Sequence, residues 1–415
     1  MNIFRNIVSG LLALLLQAAA HADETIRIGY LDQFSGPSAN VGVAFLRAAR
    51  VAIDTVNARG GVLGGRRLEL VPLDSKGSPQ DALSVFRSAT DQRLRYIAST
   101  AGSHIAAAMI EAINKHNARN PDATVLYLNT GAIDPTLTNE KCSFWHFRFD
   151  ADVDMKMSAL TDALAATPGI RKVYLINQDY AFGQAVARAA RRFLQVKRPD
   201  IEIVGDELHP LSKVKDFAPY VAKMKASGAD TVITGNWGPD MTLLVKASRE
   251  FGFAPDFYTY YAGALGTPPA LGDAGLGHLR QVTNWHVNIG GERADRHTLE
   301  YREKFKEAKD DLSSRATAIA VEMLALAMER TKSTDPKKVA TAMEGMNLED
   351  DSGEVFMRAD NHQLIQPLYV STYSKVDGKA VKYDVERTGN GFKTEHGIEG
   401  KNTVLPTTCK MQRPE

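Results

Sequence analysis

The sequence predicts an α/β fold of two doubly wound lobes. Three observations lead there. Strand-like and helix-like stretches alternate almost from residue 25, the alternation restarts after Phe149, and loops of small residues follow most of the strands. The first series opens with the strand "TIRIGYLD". The helix "VAFLRAARVAIDTVNARGG" follows, with Phe45, Leu46, Ala49, Ile53 and Val56 on one face and Gly60 as its stop signal. After the strand "RLELVPLDS", "SPQDALSVFRSA" opens a helix with Ser78 as cap, Pro79 in the first turn and Asp81 at the capping-box position. Strand "LRYIAST", helix "HIAAAMIEAINKHN" and strand "ATVLYLNT" complete a parallel-sheet unit.

The second series runs through helix "DMKMSALTDALAA", strand "KVYLINQ", helix "GQAVARAARRFLQV" and strand "IEIVGDEL". It continues with helix "FAPYVAKMKAS", strand "DTVITG", helix "PDMTLLVKASREFG" and strand "DFYTYYA". Beyond Trp285 come three helical stretches, "HTLEYREKFKEA", "SSRATAIAVEMLALAMERT" and "DPKKVATAMEGM". A strand-rich end from Gly353 follows, with a hairpin-like Asp377-Gly378.

The first residues read as an export signal. Arg5 gives the positive end, residues 7–16 the apolar run, and Ala20-His21-Ala22 the small-x-small cleavage site, so the chain is expected to be exported and cut after Ala22. The alternative, an uncleaved anchor, has an apolar run too short to span a bilayer comfortably. Removing residues 1–22 takes away one of the 50 basic residues, Arg5, and none of the 49 acidic ones, which leaves the charge balanced. A balanced charge argues against nucleic acid as partner, which needs a basic face. The two cysteines, Cys142 and Cys409, read most simply as one disulfide in an oxidising compartment, with two free thiols as the alternative.

Enzymatic motifs are missing. No GxGxxG follows a strand, and there is no GxxxxGK[ST], GxSxG, HExxH or CxxC, so no cofactor, metal or catalytic residue is assigned. "GGVLGG" precedes a strand and reads as a helix stop and turn. The strand ends are the feature without a structural excuse: "DQFSGPSANVG", "TAGSH", "NTGAID", "QDYAFG", "GNWGPD" and "YYAGALG" combine small residues with hydroxyls or aromatics. Ligands of doubly wound folds bind outside the carboxyl ends of strands, so these loops predict two lobes closing on a small molecule.

"IRIGYLDQFSGPSANVGVAFLRAARVAIDTVNARGGVLGGRRLELVPLD" resembles the opening of the Leu/Ile/Val-binding family of periplasmic solute-binding proteins, with its SGP loop and N-x-x-GG helix end. "NTGAIDPTLT", "DYAFGQA" and "GNWGPDMTLLVKASREFG" are similar to later motifs of that family, and the resemblance weakens only after about Pro367. It implies the type I periplasmic binding protein fold: two Rossmann-like lobes joined by three hinge crossovers near Phe149, Trp285 and Asp360. Residues 23–149 and 286–360 would form one lobe; 150–285 and 361–415, with the C-terminal tail, the other. It also implies a monomer in the periplasm that delivers one ligand to an inner-membrane ABC permease. An exported enzyme or a sensor on the same frame are the alternatives.

The resemblance places the ligand against Gly102, Ser103, His104, Ala132, Ile133, Phe182, Trp237, Tyr261 and Ala262, with Trp285 as a further aromatic candidate. Amino-acid binders of the family carry a Ser, a Thr, a Tyr and a Glu at the positions matching Gly102, Ile133, Phe182 and Ala262. Those polar grips are absent here, and no acid lies in 258–271. The expected ligand is therefore a hydrophobic or aromatic carboxylate, with an ordinary branched-chain or other amino acid as the alternative. Ser103 is expected to cap a helix beginning near His104. The N-terminus of that helix would receive the ligand carboxylate.

Overall fold

The computed structural model describes residues 25–36, 38–311 and 314–414; the signal segment lies outside them. The first sheet holds β1 (Ile26–Asp32), β2 (Leu68–Asp74), β3 (Tyr96–Ser99), β4 (Leu126–Asn129) and β5 (His146–Arg148), all parallel in the order β2-β1-β3-β4-β5. The second holds β6 (Lys172–Gln178), β7 (Glu202–His209), β8 (Thr231–Thr234), β9 (Asp256–Thr259) and β10 (Leu279–Thr283) in the matching parallel order β7-β6-β8-β9-β10.

Beyond β10 in sequence, β11 (Asn347–Asp350), β12 (Gly353–Met357) and β13 (Leu364–Ile365) make a small antiparallel sheet. Finally β14 (Leu368–Lys375) and β15 (Asn390–Ile398) extend the second sheet antiparallel beyond β10. Buried apolar faces sort with the sheets. Residues from Ile26 to Phe149 pack with helix Ala316–Thr331, Val339 and Leu364 in one core, and residues from Ala151 onward pack with Ile365, Leu368 and Val370 in another.

Three expectations need correction. The hairpin-like Asp377-Gly378 closes only a local turn, in which the Asp377 carboxylate accepts the Lys379 and Val381 amides, and the strand that pairs with β14 is β15 further on. The third switch between cores falls between Leu364 and Ile365, beyond Asp360, because β13 is still paired to β12. The tail does not stay with the second lobe: Leu405 packs on the second core, Met411 on the first, and Cys409 is bridged to Cys142.

Polar side chains tie the crossovers to one another. Gln363 Nε2 donates to the Asp150 carbonyl and Gln366 Nε2 to the Phe149 carbonyl, while Asn284 Nδ2 donates to Gln366 Oε1 at 2.8 Å. All three side chains are buried. Arg148, fully buried at the end of β5, sits at the centre of this knot.

Candidate functional site

In each lobe the strand order reverses direction beside the first strand, between β1 and β3 and between β6 and β8. Loops diverge there and leave a crevice. The two crevices face each other across a cavity of about 100 Å³. Its first-lobe wall includes Asp32, Thr100, Gly102, Ser103, Gly131 and Ile133; the opposing wall includes Tyr180, Phe182, Trp237, Tyr260 and Tyr261. The lobes are closed on one another. Tyr261 Oη donates to the Gly131 carbonyl at 3.5 Å, the Ser38 and Ser212 hydroxyls are 3.4 Å apart, and His104 meets Tyr180 edge-on with ring centroids 5.4 Å apart.

The loop after β4 is folded by one side chain. Asn129 accepts the Ala132 amide and donates to its carbonyl, both at 2.8 Å, and accepts the Gly131 amide. That turn sends Ala132 down into the first core, so it does not line the cavity, and lifts Ile133 across the cleft into the second lobe's apolar cluster. Gly131 is required by packing: a Cβ there would lie 2.4 Å from Thr100 Cγ2 and 2.8 Å from its carbonyl oxygen.

The helix after β3 runs Ser103–Arg119, with Gly102 as an uncapped N-cap. Ser103 is therefore inside the helix and does not cap it. Its hydroxyl accepts the Asp134 amide at 3.2 Å and stitches the β3 and β4 loops together. The N-terminal turn, with its unpaired N–H groups and positive dipole end, still borders the cavity through Gly102 and Ser103. His104 stands at the edge against Tyr180, outside the cavity lining, where burial pulls its pKa down.

Aromatic rings make the opposite wall. Phe182 packs edge-on to Tyr260 at 5.7 Å and tilted to Tyr261 at 5.8 Å, and Trp237 Nε1 donates to Tyr180 Oη at 2.8 Å. With its one donor satisfied, Trp237 presents an apolar face. Ala262 is not part of this wall. In the turn after β9 the side chain of Tyr261 goes to the cavity, and Ala262 goes under it into a core with Tyr373 and Phe392. Trp285 is buried in its own small cluster with Ala294, edge-on to His297, away from the cavity.

Sequence reasoning missed the charged groups. Asp32, at the carboxyl end of β1, accepts the Gln33 amide on Oδ1 at 2.7 Å, and its Oδ2 is buried. The position was among the strand-end loops, but nothing local distinguishes an acid pointing inward. Asp150, just past the first crossover, pairs with Lys156 at 2.7 Å; both side chains line the cavity and are buried.

Burial raises the Asp32 pKa to about 7, with the Gln33 amide bond opposing it. The folded protein therefore holds this proton more tightly than the unfolded chain does. The contribution to stability is complete below the ordinary carboxylate range near pH 4 and is lost as pH rises through about 7. The melting temperature of Asp32→Asn is expected to match wild type near pH 4 and exceed it at pH 8. A difference that does not grow between those pH values would contradict the assignment.

Two facing α/β lobes, three tied crossovers and a cleft between strand ends define a two-lobed solute-binding protein. The chain belongs to the periplasmic binding protein family, whose model matches residues 25–379. It is 31% identical to Leu/Ile/Val-binding protein homolog 4 of Brucella melitensis biotype 1, over 97% of this chain and 96% of that one. A solved structure titled as a leucine-, isoleucine-, valine-, threonine- and alanine-binding protein from Brucella ovis, in a closed conformation, superposes with a TM-score of 0.83. It is 28% identical and covers 94% of this chain and 100% of its own. A solute-binding protein from R. palustris, solved in complex with 4-hydroxybenzoate, has a TM-score of 0.77 at 21% identity over 91% of this chain and 98% of its own; at that identity it shows the fold alone. Among the described residues no helix is long and apolar enough to cross a membrane.

Proposed function

We propose that this protein is the exported binding component of an ABC importer, and that it carries a small hydrophobic or aromatic carboxylate to an inner-membrane permease. It acts as a monomer, is released by cleavage after Ala22, and returns its ligand unchanged. The observation that carries the ligand class is the cavity's asymmetry. One wall is the N-terminus of helix Ser103–Arg119, which suits a carboxylate; the other is Phe182, Trp237 and Tyr261, which suit a flat apolar body. Ile133 closes the space where an amino-acid binder of the family would place a hydroxyl.

An α-amino acid is the second reading. It is favoured by the two carboxylates in the cavity wall, Asp32 and Asp150, either of which could face an ammonium, and by the name of the Brucella ovis relative. Against it, Asp150 is already neutralised by Lys156, and burial disfavours the charged form of Asp32. An ammonium lacking a full counter-charge would cost roughly 2–5 kcal/mol, or about thirty- to several-thousand-fold in affinity. Calorimetry on refolded, ligand-stripped protein should therefore show benzoate- or phenylpropenoate-type acids binding more tightly than leucine or phenylalanine. Micromolar leucine binding would select the second reading.

A further inference from the structure

We propose that the buried Asp150–Lys156 pair reads a hydroxyl group on the ligand, at the end remote from its carboxylate. The inference rests on the carboxylate reading above for the orientation of the ligand. Asp150 lies at the hinge side of the cleft, one residue past the switch between the two cores, whereas Ser103 lies at the middle of the first sheet. Both ends line one cavity, so a ligand held by its carboxylate at Ser103 can present its other end to the pair.

The pair there is built for a further partner. Both residues line the cavity, Asp150 6% and Lys156 2% exposed. Lys156 Nζ donates to Asp150 Oδ2 at 2.7 Å and sits 5.1 Å from the centroid of the Tyr261 ring, which fixes the ammonium in place. Asp150 Oδ1 is buried and has no hydrogen-bond partner among the described residues. A buried carboxylate oxygen without a donor is costly, and this one borders the cavity, where a ligand donor can reach it.

The chemistry of the pair selects among candidate groups. It offers an anionic acceptor beside a cationic donor and is neutral overall. A hydroxyl can donate to Asp150 Oδ1 and accept from Lys156 Nζ at once. An ammonium has donors only and is repelled by Lys156; a second carboxylate has acceptors only and is repelled by Asp150. A methyl or bare ring edge leaves Oδ1 orphaned. A site that hydrogen-bonds a ligand hydroxyl rejects the analogue without it, because its own polar groups are then left unpaired.

The test uses the full mature protein, unfolded and refolded to remove bound ligand, with 4-hydroxybenzoate, benzoate and 4-hydroxybenzamide in calorimetry. The hydroxyl contact with a charged partner predicts that 4-hydroxybenzoate binds roughly ten- to a hundredfold more tightly than benzoate. In the charge-neutral double variant Asp150→Asn with Lys156→Met the ratio should fall to about threefold or less, mainly through weaker 4-hydroxybenzoate binding. Equal affinities of the two acids in wild type would overturn the proposal, with no appeal to a variant's folding needed. The amide isolates the other step. If 4-hydroxybenzamide binds as tightly as 4-hydroxybenzoate, the carboxylate reading fails while the hydroxyl preference still stands or falls on its own pair.

Discussion

Replacing Arg148 by methionine is expected to destabilise the protein by about 3–5 kcal/mol, the cost of leaving a buried charge without its partner. The guanidinium is fully buried and uses every direction of its fork. Nε donates to Gln363 Oε1 at 2.5 Å, Nη1 to the Asp134 carbonyl at 2.6 Å, and Nη2 to Thr138 Oγ1 and to Asp152 Oδ2 at 3.0 Å. One side chain thereby joins the end of the first sheet, the Pro135–Thr138 turn, the first helix of the second lobe and the third crossover. Methionine fills much of the volume but strands Asp152, whose pKa burial already raises and Arg148 holds down.

The sign of the pH effect follows. Without Arg148 the Asp152 pKa rises further, so the carboxyl is neutral in acid and charged at alkaline pH, and the variant should lose more stability at pH 8 than at pH 5. Asp152→Asn keeps an N-cap for Met155 while removing the charge. The double variant should therefore be less destabilised at pH 8 than Arg148→Met alone. Urea midpoints of the three variants at both pH values decide. A deficit in Arg148→Met that ignores both pH and residue 152 would mean that the arginine acts by packing alone.

What the sequence made legible is what local patterns encode. Strands such as "KVYLINQ" and helices such as "SPQDALSVFRSA" carry their periodicity and caps within a dozen residues, and they appear where expected: Ser78 accepts the Asp81 amide at the start of helix Pro79–Asp91. Strands β5 and β10 escaped, because "HFR" and "LRQVT" are short and polar, and only pairing with β4 and β9 makes them strands. The cleft divides in the same way. The strand-end loops and the family resemblance together marked Gly102, Ser103, Ile133, Phe182, Trp237 and Tyr261, which do line the cavity. It could not say that Ala132 and Ala262 turn inward, since that depends on a one-residue choice of direction within a loop. Nor could it find Asp150 and Lys156, which read as the polar start of an ordinary amphipathic helix until the second lobe folds over them.

Breaking the Cys142–Cys409 bridge is the other change with a large expected effect. The bond spans a sequence separation of 267 residues, so it removes much of the freedom of the unfolded chain; the loop-closure model sets its stabilisation at about 5 kcal/mol. The question is whether the tail would stay in place without it. Its other attachments are individually weak polar contacts beside the packing of Leu405 and Met411. Thr407 Oγ1 donates to Asn139 Oδ1, Arg358 Nη1 to the Leu405 carbonyl, and Arg413 pairs with Glu344 with its own side chain half exposed. An ion pair so exposed contributes at most about 1 kcal/mol, and the hydrogen bonds about 1 kcal/mol each. These contacts hold the tail only weakly once the covalent bond is gone, so local release of residues 404–414 competes with the global effect. Two consequences are expected of Cys142→Ser with Cys409→Ser: a lower urea midpoint, by up to the full loop term, and fast amide exchange confined to the tail at low urea. Because Leu405 packs on the second core and Met411 on the first, the tail is a fourth tether between the lobes, and its release should be visible while both sheets remain protected. An unchanged midpoint together with a protected tail would mean that the non-covalent contacts suffice and the bridge adds nothing to the fold.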